Sequence, residues 1–371
     1  MMKRSHYFFA GGGTGGHIYP AIAVAEQIRK VHSEAYITFF CSERTIDSQI
    51  LAKTGYEFFP LPAESVSLRP DRLLVFVSKL VRSYRFARDK IGPVAGRSVV
   101  IGTGGFASAP ALLAAHRLKV PVALINVDII PGRANKFLAR FAKKIFVQFE
   151  DTAVHFSKTK AGVHVVGCPL RADFENPDSS RAVFELELDK NKKTLIVTGA
   201  SSGSMSINDA LCALTKDLEP FVDTWQIVHI TGKRDYQRVL TNYTDVGIGH
   251  NVIDYFDDMP GLLACADVVV GRAGAVSIAE YAAAGVAAIC MPYPYHKDRH
   301  QYLNASKLVE AGGGVIVDDV VGDCEQTSKN LLRELTALMA DDEKRKKMGQ
   351  KGRAWARLDA AEKTAQAIMS L

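Results

Sequence analysis

Short runs of apolar residues alternate with longer amphipathic segments along most of the chain. The runs are typical of buried strands, whereas the spacing of Ala21, Val24, Ala25 and Ile28 after the first run is typical of a helix packed on a sheet. This alternation predicts an α/β fold with parallel sheets. Strands are predicted at 7–10, 35–41, 57–61, 98–101, 120–126, 144–149 and 163–166, and then at 194–198, 226–231, 268–271, 287–291 and 314–317.

A stretch typical of a linker, residues 167–171, separates the first seven predicted strands from the rest. The chain has 371 residues, enough for two domains with separate cores. We therefore expect two Rossmann-like, doubly wound domains, an N-terminal one over residues 1–168 and a C-terminal one over residues 169–355.

The first predicted strand leads into a glycine-rich stretch, Gly11-Gly12-Gly13-Thr14-Gly15-Gly16-His17. A strand, a glycine loop and a helix in this order bring backbone N–H groups and the positive end of the helix dipole towards an anion. A tight turn without a ligand is the alternative, but five glycines and a histidine exceed what a turn requires. We predict that His17 lies at the mouth of a ligand-binding loop, since open α/β sheets bind ligands at the carboxyl ends of their strands.

Similar stretches of small residues follow three later strands, at 102–110, 199–204 and 271–280. The first contains Gly104 and Gly105 and is expected to line the same cleft as the glycine-rich stretch, although close helix packing would also explain the glycines. The last carries Glu280, whose carboxylate could accept hydrogen bonds from both hydroxyls of a ribose while the loop amides bind phosphates. A charge favoured by the helix dipole is the alternative for Glu280.

The composition is that of an ordinary globular protein, with 47% hydrophobic and 23% charged residues. We expect neither a membrane span nor a cleavable signal, and the six cysteines are scattered without metal-site spacing. His296 and His300 alone do not predict a metal site. The net charge of +6 permits an anionic substrate or an anionic membrane surface, and no nucleic-acid partner is expected.

Segment 68–92 combines apolar residues with a series of basic ones. One interpretation is an amphipathic helix whose basic face is solvated. The other is a helix whose apolar and basic side rests on anionic lipid. The scarcity of acidic partners favours the second interpretation, which makes this segment a candidate membrane contact.

Short motifs in a fixed order over nearly the whole chain resemble the MurG-type N-acetylglucosaminyltransferases of bacterial peptidoglycan synthesis. The matching residues are Gly12 to His17, Gly104 to Ser108 with Pro110, Gly132 with Asn135 and Lys136, Gly167 with Pro169 and Arg171, Ser201 with Gly203 and Asn208, Asp257 to Met259, Arg272 with Gly274, Ala275 and Glu280, and His296 to Asp298 with Gln301, Asn304 and Ala305.

The resemblance implies a GT-B fold, in which the two domains face a central cleft and a final helix, about 356–371, packs back on the N-terminal domain. It also implies inverting transfer of N-acetylglucosamine from its UDP donor to lipid I, a polyprenyl-diphosphate-linked sugar, which gives lipid II. The enzyme would need no metal and no cofactor, and would act as a peripheral protein at the cytoplasmic face of the cell membrane.

The resemblance assigns roles to residues of both domains. In the N-terminal domain, His17 would be the catalytic base, and the other substrate-binding residues would be Thr14, Gly15, Gly16 and Asp128, with Gly104, Gly105 and Phe106 in the loop for the acceptor and its diphosphate. On the donor side, Arg171 and Ser201 would face the diphosphate or uridine, Phe256 the uracil, Ala275, Val276 and Ser277 the phosphates, Glu280 the ribose and Gln301 the hexose.

The chain departs from the family pattern at Ile125-Asn126-Val127-Asp128, where the family usually has His-Glu-Gln-Asn. It also has Ala200 and Ser202 in place of glycine and glutamine, and Cys168 in place of asparagine. The first departure lies beside the expected sugar site. It leaves open a related transferase with another lipid acceptor, a nucleotide-sugar epimerase, and a non-catalytic nucleotide-sugar-binding relative.

Overall fold

The computed structural model describes residues 5–63 and 70–371 and separates them into two units. Unit 1 comprises the described residues up to Arg171 together with Arg357–Leu371, and unit 2 comprises Ala172–Ala356. Each unit is built around one parallel sheet, which confirms the predicted fold class. Residues 68 and 69 of the candidate membrane segment lie outside the described residues.

The sheet of unit 1 has seven parallel strands in the order β3-β2-β1-β4-β5-β6-β7. Strand order reverses between β1 and β4, and that switch point is where open α/β sheets bind ligands. The strands are β1 His6–Gly11, β2 Tyr36–Ser42, β3 Glu57–Leu61, β4 Ser98–Gly104, β5 Val122–Asn126, β6 Lys144–Val147 and β7 Gly162–Val165.

Helices cover this sheet, because the connection between two parallel strands must cross a face. The helix nearest the chain end packs against the first helix of the unit, and Lys144 Nζ donates to the Ala367 carbonyl at 3.0 Å. The helices are α1 Gly15–Val31, α2 Thr45–Ala52, α3 Pro70–Ile91, α4 Ser108–Arg117, α5 Arg133–Leu138, α6 Glu150–Ala153 and, after unit 2, α15 Ala360–Met369.

The sheet of unit 2 has six parallel strands in the order β10-β9-β8-β11-β12-β13, with its switch point between β8 and β11. The strands are β8 Lys193–Thr198, β9 Trp225–Ile230, β10 Gly249–Ile253, β11 Val268–Gly271, β12 Ala287–Cys290 and β13 Gly314–Ile316. The helices are α7 Ser180–Glu185, α8 Met205–Leu214, α9 Tyr236–Asn242, α10 Met259–Ala264, α11 Ala275–Ala284, α12 His300–Glu310, α13 Cys324–Ala340 and α14 Asp342–Trp355.

Strand β10 is the one strand of the described residues that the apolar pattern does not predict. It lies at the edge of the sheet, and of its five residues only Val252 is buried. An edge strand buries less of its surface than a central strand, so Gly249, His250 and Asn251 carry no hydrophobic signal.

Candidate active site

The loop after β1 is held by a buried carboxylate at the start of α2. Asp47 Oδ2 accepts hydrogen bonds from the Gly13 amide at 2.8 Å, the Ser42 amide at 3.1 Å and the Ser42 hydroxyl at 2.6 Å. Arg44 Nη1 donates to the Gly13 carbonyl at 2.6 Å. Charge-assisted hydrogen bonds of this kind are the strong ones. The amide of Gly13 is therefore used to hold the loop rather than offered to a ligand.

The loop after β4 lies directly against the loop after β1, as their neighbouring strands predict. Gly104 has a φ of +104°, and a Cβ on it would lie 2.8 Å from His17 Cε1 and 2.9 Å from His17 Nδ1. Gly105 has a φ of +76°, and a Cβ there would overlap the carbonyl oxygen of Gly12. Both positions require glycine for their backbone conformation and for their space. The two glycine loops thus form one wall that carries His17.

His17 is half-buried in the first turn of α1, where its amide donates to the Thr14 carbonyl at 3.1 Å. Its Nδ1 is buried and has no hydrogen-bond partner among the described residues. The neighbouring Thr14 is exposed, as is the ring of Phe106 in the facing loop. An imidazole that packs against the backbone of Gly104 and lies beside exposed residues is suited to act as a general base.

The last residue of β5 and the first turn of α5 add two buried asparagines to the same wall. Asn126 Nδ2 donates to the Asp128 carbonyl at 2.7 Å, and Asn135 Nδ2 donates to Asn126 Oδ1 at 3.0 Å. A Cβ on Gly104 would lie 3.6 Å from Asn135 Nδ2, so this amide lies beside His17. We did not predict Asn126 or Asn135 as site residues, although both lie in stretches that the resemblance to the MurG-type family had drawn attention to. Asp128 itself is half-buried.

Arg171, predicted to face the donor, lies in unit 1 as the structure divides the chain. Its guanidinium carbon is 4.7 Å from the centre of the Tyr19 ring, on α1. A cation above an aromatic face is attracted to it. This contact holds Arg171 to the helix that carries His17.

Unit 2 holds the ends of its strands together through a buried ion pair. Arg272, after β11, lies 2.8 Å from Asp319 Oδ2, after β13, and the two side chains are 9% and 5% exposed. Arg272 Nη2 also donates to Ser206 Oγ at 2.7 Å, and Ser206 Oγ donates to the same carboxylate at 2.7 Å. A further donation from Arg272 Nη1 reaches the Met291 carbonyl after β12. We missed Asp319 in the sequence, because nothing near it predicts a partner so far away along the chain.

The predicted donor-binding residues of α11 lie in its first two turns. Ala275 and Val276 are buried in the first turn, whereas Ser277 and Glu280 are half-buried and lie three positions apart, on one side of the helix. Glu280 already has an interaction within the protein. The amides of the first helical turn have no partner within a helix, which suits them to phosphate oxygens.

The other predicted donor residues lie on loops of unit 2. Gln301 Oε1 accepts from the Tyr293 amide at 2.9 Å, which orients the side chain and leaves its NH₂ group for donation. Phe256 is buried. The backbone of Ser201 lies in the short helical turn Ala200–Ser202, and its side chain lies outside the described set.

A second polar group in unit 2, which we call the closed network, consists of Tyr243, His229, Asn208, Asp235 and Arg238. His229 is fully buried, with Nδ1 3.1 Å from Tyr243 Oη and Nε2 3.0 Å from Asn208 Oδ1. Asn208 Nδ2 donates to Asp235 Oδ2 at 2.6 Å, and Arg238 pairs with Asp235. Burial lowers the pKa of His229 to about 3. The imidazole is therefore neutral and structural.

Within the part of the chain that the structure describes, no group of three or more histidine, cysteine, aspartate or glutamate side chains is placed to hold a metal ion. In the same residues, no helix is both long and apolar enough to cross a membrane.

Comparison with known protein families and curated proteins shows which family the chain belongs to. The glycosyltransferase family 28 N-terminal domain matches residues 7–147, and its C-terminal domain matches residues 194–366. The chain is 34% identical to the UDP-N-acetylglucosamine–N-acetylmuramyl-(pentapeptide) pyrophosphoryl-undecaprenol N-acetylglucosamine transferase of Halothermothrix orenii, over 94% of this chain and 95% of that protein. It is 33% identical to the protein of the same name from Myxococcus xanthus, over 100% and 93% of the two chains.

Solved structures show the same fold. The chain superposes on Acinetobacter baumannii MurG with a TM-score of 0.74, at 23% identity over 99% of this chain and 100% of that one. It superposes on the UDP-GlcNAc 2-epimerase of Neisseria meningitidis bound to UDP-GlcNAc with a TM-score of 0.72, at 14% identity over 99% and 100% of the two chains. Because both family 28 domains match in order and curated relatives above 30% identity span nearly its full length, the chain belongs to glycosyltransferase family 28.

Proposed function

We propose that this chain transfers N-acetylglucosamine from UDP-N-acetylglucosamine to the muramoyl sugar of lipid I, with inversion at the anomeric carbon. The names of the full-length relatives support the donor and the acceptor. The observation that carries the assignment to this structure is His17, held over Gly104 at the switch point of the unit 1 sheet, with exposed surface beside it.

In this mechanism His17 takes the proton from the 4-hydroxyl of the acceptor sugar. The hydroxyl oxygen forms a bond to the anomeric carbon of the donor, while the bond from that carbon to the β-phosphate oxygen breaks and UDP leaves with the electron pair. General base catalysis assists the attacking oxygen, and fixed dipoles stabilise the charge that develops on the diphosphate.

Unit 2 would hold the donor in this mechanism. Glu280 would accept from the ribose hydroxyls, Gln301 would donate through its NH₂ group to a hexose hydroxyl, and the first-turn amides of α11 would meet the phosphates. The dipole of that helix places partial positive charge at the diphosphate. We propose no metal and no cofactor.

Helix α3 is the proposed contact with the membrane that carries the lipid-linked acceptor. Ser83, Ala87 and Ile91 are buried on one side of the helix, and on its other sides apolar side chains are exposed, among them Leu74 at 76%. Arg82, Arg85, Arg88 and Lys90 are exposed along the second half. Apolar surface beside basic charge favours an anionic bilayer surface, and we place the enzyme at the cytoplasmic face.

The test of the function is turnover of radiolabelled UDP-N-acetylglucosamine with lipid I. We expect label in a lipid product and stoichiometric release of UDP. Label in a lipid only with another polyprenyl-diphosphate sugar would move the proposal to a different acceptor, and conversion to the 2-epimer without any acceptor would make the protein an epimerase. Binding of UDP-N-acetylglucosamine without either product would refute the transferase activity.

The membrane contact is tested by charge reversal. Replacing Arg82, Arg85 and Arg88 by glutamate should abolish binding to vesicles that contain phosphatidylglycerol, because each basic residue near such a surface contributes about 1 kcal/mol. The same reversal of three exposed lysines on α14, Lys344, Lys346 and Lys347, is the matched control and should leave vesicle binding intact. Equal losses in both triple variants would show a general charge effect and overturn the assignment of α3.

A further inference from the structure

Arg272 takes no part in the proposed mechanism, although it lies beside the switch point of the unit 2 sheet. It follows β11, and a cation in that position is an obvious partner for the diphosphate of the donor. The structure gives it other partners. Nη1 lies 2.8 Å from Asp319 Oδ2, Nη2 donates to Ser206 Oγ at 2.7 Å, and the Arg272 and Asp319 side chains are 9% and 5% exposed. A buried carboxylate therefore already balances the charge.

Arg272 also contacts the segment after β12. Its Nη1 donates to the Met291 carbonyl at 3.0 Å and to the Pro292 carbonyl at 3.3 Å. Its guanidinium carbon lies 5.5 Å from the centre of the Tyr293 ring, within the range of a cation–π contact. One side chain at the end of β11 therefore holds three consecutive residues that follow β12.

The peptide group between Pro292 and Tyr293 connects Arg272 to Gln301. Its carbonyl accepts from Arg272, and its N–H donates to Gln301 Oε1 at 2.9 Å. A trans peptide group is planar, with its C=O and N–H pointing in opposite directions, so a fixed carbonyl also fixes the direction of the N–H. Hydrogen bonds at the two ends of one amide also polarise each other.

The N–H of Tyr293 decides which end of Gln301 is left for a ligand. A backbone N–H only donates, so the atom that it meets is the side-chain oxygen, and the NH₂ group remains as a donor. When this N–H is displaced, the oxygen loses its partner and the glutamine side chain regains its rotational freedom. The position of one peptide group therefore controls the donor that Gln301 presents.

We infer that Arg272 is a positioning residue for Gln301, and that it acts on the hexose of the donor rather than on its diphosphate. Asp319 and Ser206 hold the guanidinium, which holds the peptide group that orients the glutamine. The inference rests on the proposed function only for the contact between Gln301 and the hexose, because the chain of hydrogen bonds is present in the protein without ligand.

The first test compares UDP with UDP-N-acetylglucosamine, which adds a hexose to the same nucleotide, by calorimetry. The double variant Arg272→Met, Asp319→Leu removes both charges and leaves neither one buried and unpaired. We expect its affinity for UDP to stay within about twofold of the wild type, and its affinity for UDP-N-acetylglucosamine to fall about five- to tenfold, as for one lost hydrogen bond. Gln301→Ala should behave alike, and adding it to the double variant should cause no further loss.

The matched control is Arg345→Met, at the amino ends of the strands of the same sheet. Arg345 is 5% exposed and pairs with Asp342. Its Nη1 donates to the carbonyls of Leu338 and Met339, and its guanidinium carbon lies 4.9 Å from the centre of the Trp225 ring, at the start of β9. This variant also loses a buried arginine that holds two carbonyls, and it should leave the ratio of the two affinities unchanged.

A second measurement needs no ligand. In protein labelled with ¹⁵N-tyrosine, Tyr293→Phe identifies the amide signal of Tyr293 among the twelve tyrosines. We expect this amide to exchange its hydrogen with D₂O about tenfold or more faster in the double variant and in Gln301→Ala than in the wild type, because the hydrogen bond that protects it is lost. The exchange rate in Arg345→Met should equal that of the wild type.

Several outcomes would overturn the inference. Equal losses of affinity for UDP and the sugar nucleotide would assign Arg272 to the diphosphate or the nucleoside, and additive losses in the triple variant would make Arg272 and Gln301 independent. Unchanged exchange at Tyr293 in the double variant, or equal effects in Arg345→Met, would refute the link itself. A wild type that shows the expected affinities and rates but transfers no sugar to lipid I would refute the proposed function and retain the positioning role.

Discussion

His17 in unit 1 and His229 in unit 2 both lie near the carboxyl end of a parallel sheet, yet their surroundings differ. His229 is fully buried, and both of its ring nitrogens have hydrogen-bond partners in the closed network. His17 is half-buried, and its Nδ1 has no partner among the described residues. A histidine whose bonds are complete holds structure, whereas one with an unused nitrogen at a switch point is available for chemistry.

A similar contrast holds between the loop after β1 in unit 1 and the strand ends that meet at Arg272 in unit 2. In unit 1, Asp47 is fully buried and binds the backbone at Gly13 and the amide and hydroxyl of Ser42, so the charge shapes a loop. In unit 2, Arg272 and Asp319 neutralise each other and bind several strand ends. The first arrangement leaves polar atoms beside the loop unpaired, and the second leaves its charges satisfied.

The largest expected effect separates the two histidines by function. His17→Ala should lower turnover by a factor of about one hundred to ten thousand with little change in the free energy of unfolding. His229→Ala should do the reverse, because it breaks a buried network and does not touch the substrate. Turnover with lipid I and urea denaturation of both variants make the comparison. Similar turnover losses in the two variants would remove the distinction.

The next effect concerns the buried ion pair. Arg272→Met leaves Asp319 as an uncompensated buried charge and should lower the free energy of unfolding of unit 2 by about 3–5 kcal/mol. Both tryptophans, Trp225 and Trp355, lie in unit 2, so fluorescence during urea denaturation reports on it. The double variant Arg272→Met, Asp319→Leu removes both charges and should recover much of the loss. A double variant less stable than the single one would contradict this account.

A smaller effect follows from the depressed pKa of His229. The unfolded chain takes up a proton at this residue below its ordinary pKa of about 6.5, and the folded protein takes it up only near pH 3. The neutral His229 therefore contributes fully to the free energy of unfolding above pH 6.5, and this contribution is lost as the pH falls towards 3. The loss is about 2 kcal/mol at pH 5. His229→Gln should flatten the dependence of the unfolding free energy between pH 7 and pH 5. Equal slopes in variant and wild type would contradict the assigned pKa.

The smallest effect is expected at a solvated ion pair on α13. Lys329 and Glu325 lie 2.6 Å apart, but their side chains are 66% and 78% exposed. Solvent screening leaves such pairs with almost no net stabilisation. Lys329→Ala should leave the fluorescence-detected unfolding midpoint unchanged within error. A clear shift would mean that charge pairing matters in this protein independently of burial.

The sequence predicts the fold because nine of the thirteen strands among the described residues are central ones, which are buried on both faces and therefore appear as apolar runs. It predicts His17 because glycines, a strand and a helix mark the loop locally. It does not predict Asp47, whose partners at Gly13 and Ser42 are polar backbone and a small side chain, or Asp319, which meets Arg272 only after folding. Contacts between distant segments leave no periodic signal in the chain.

Because α15 belongs to unit 1 but follows unit 2 in the chain, unit 1 is completed only at the end of synthesis. Helix α15 packs on α1, and a Cβ on Gly167 would lie 2.7 Å from Arg357 Cβ, so the segment after unit 2 completes unit 1. A ribosome therefore synthesises all of unit 2 between the first sheet of unit 1 and the helix that covers α1. During that interval the side of α1 that α15 covers is open, and this is the period in which a chaperone would have surface to bind.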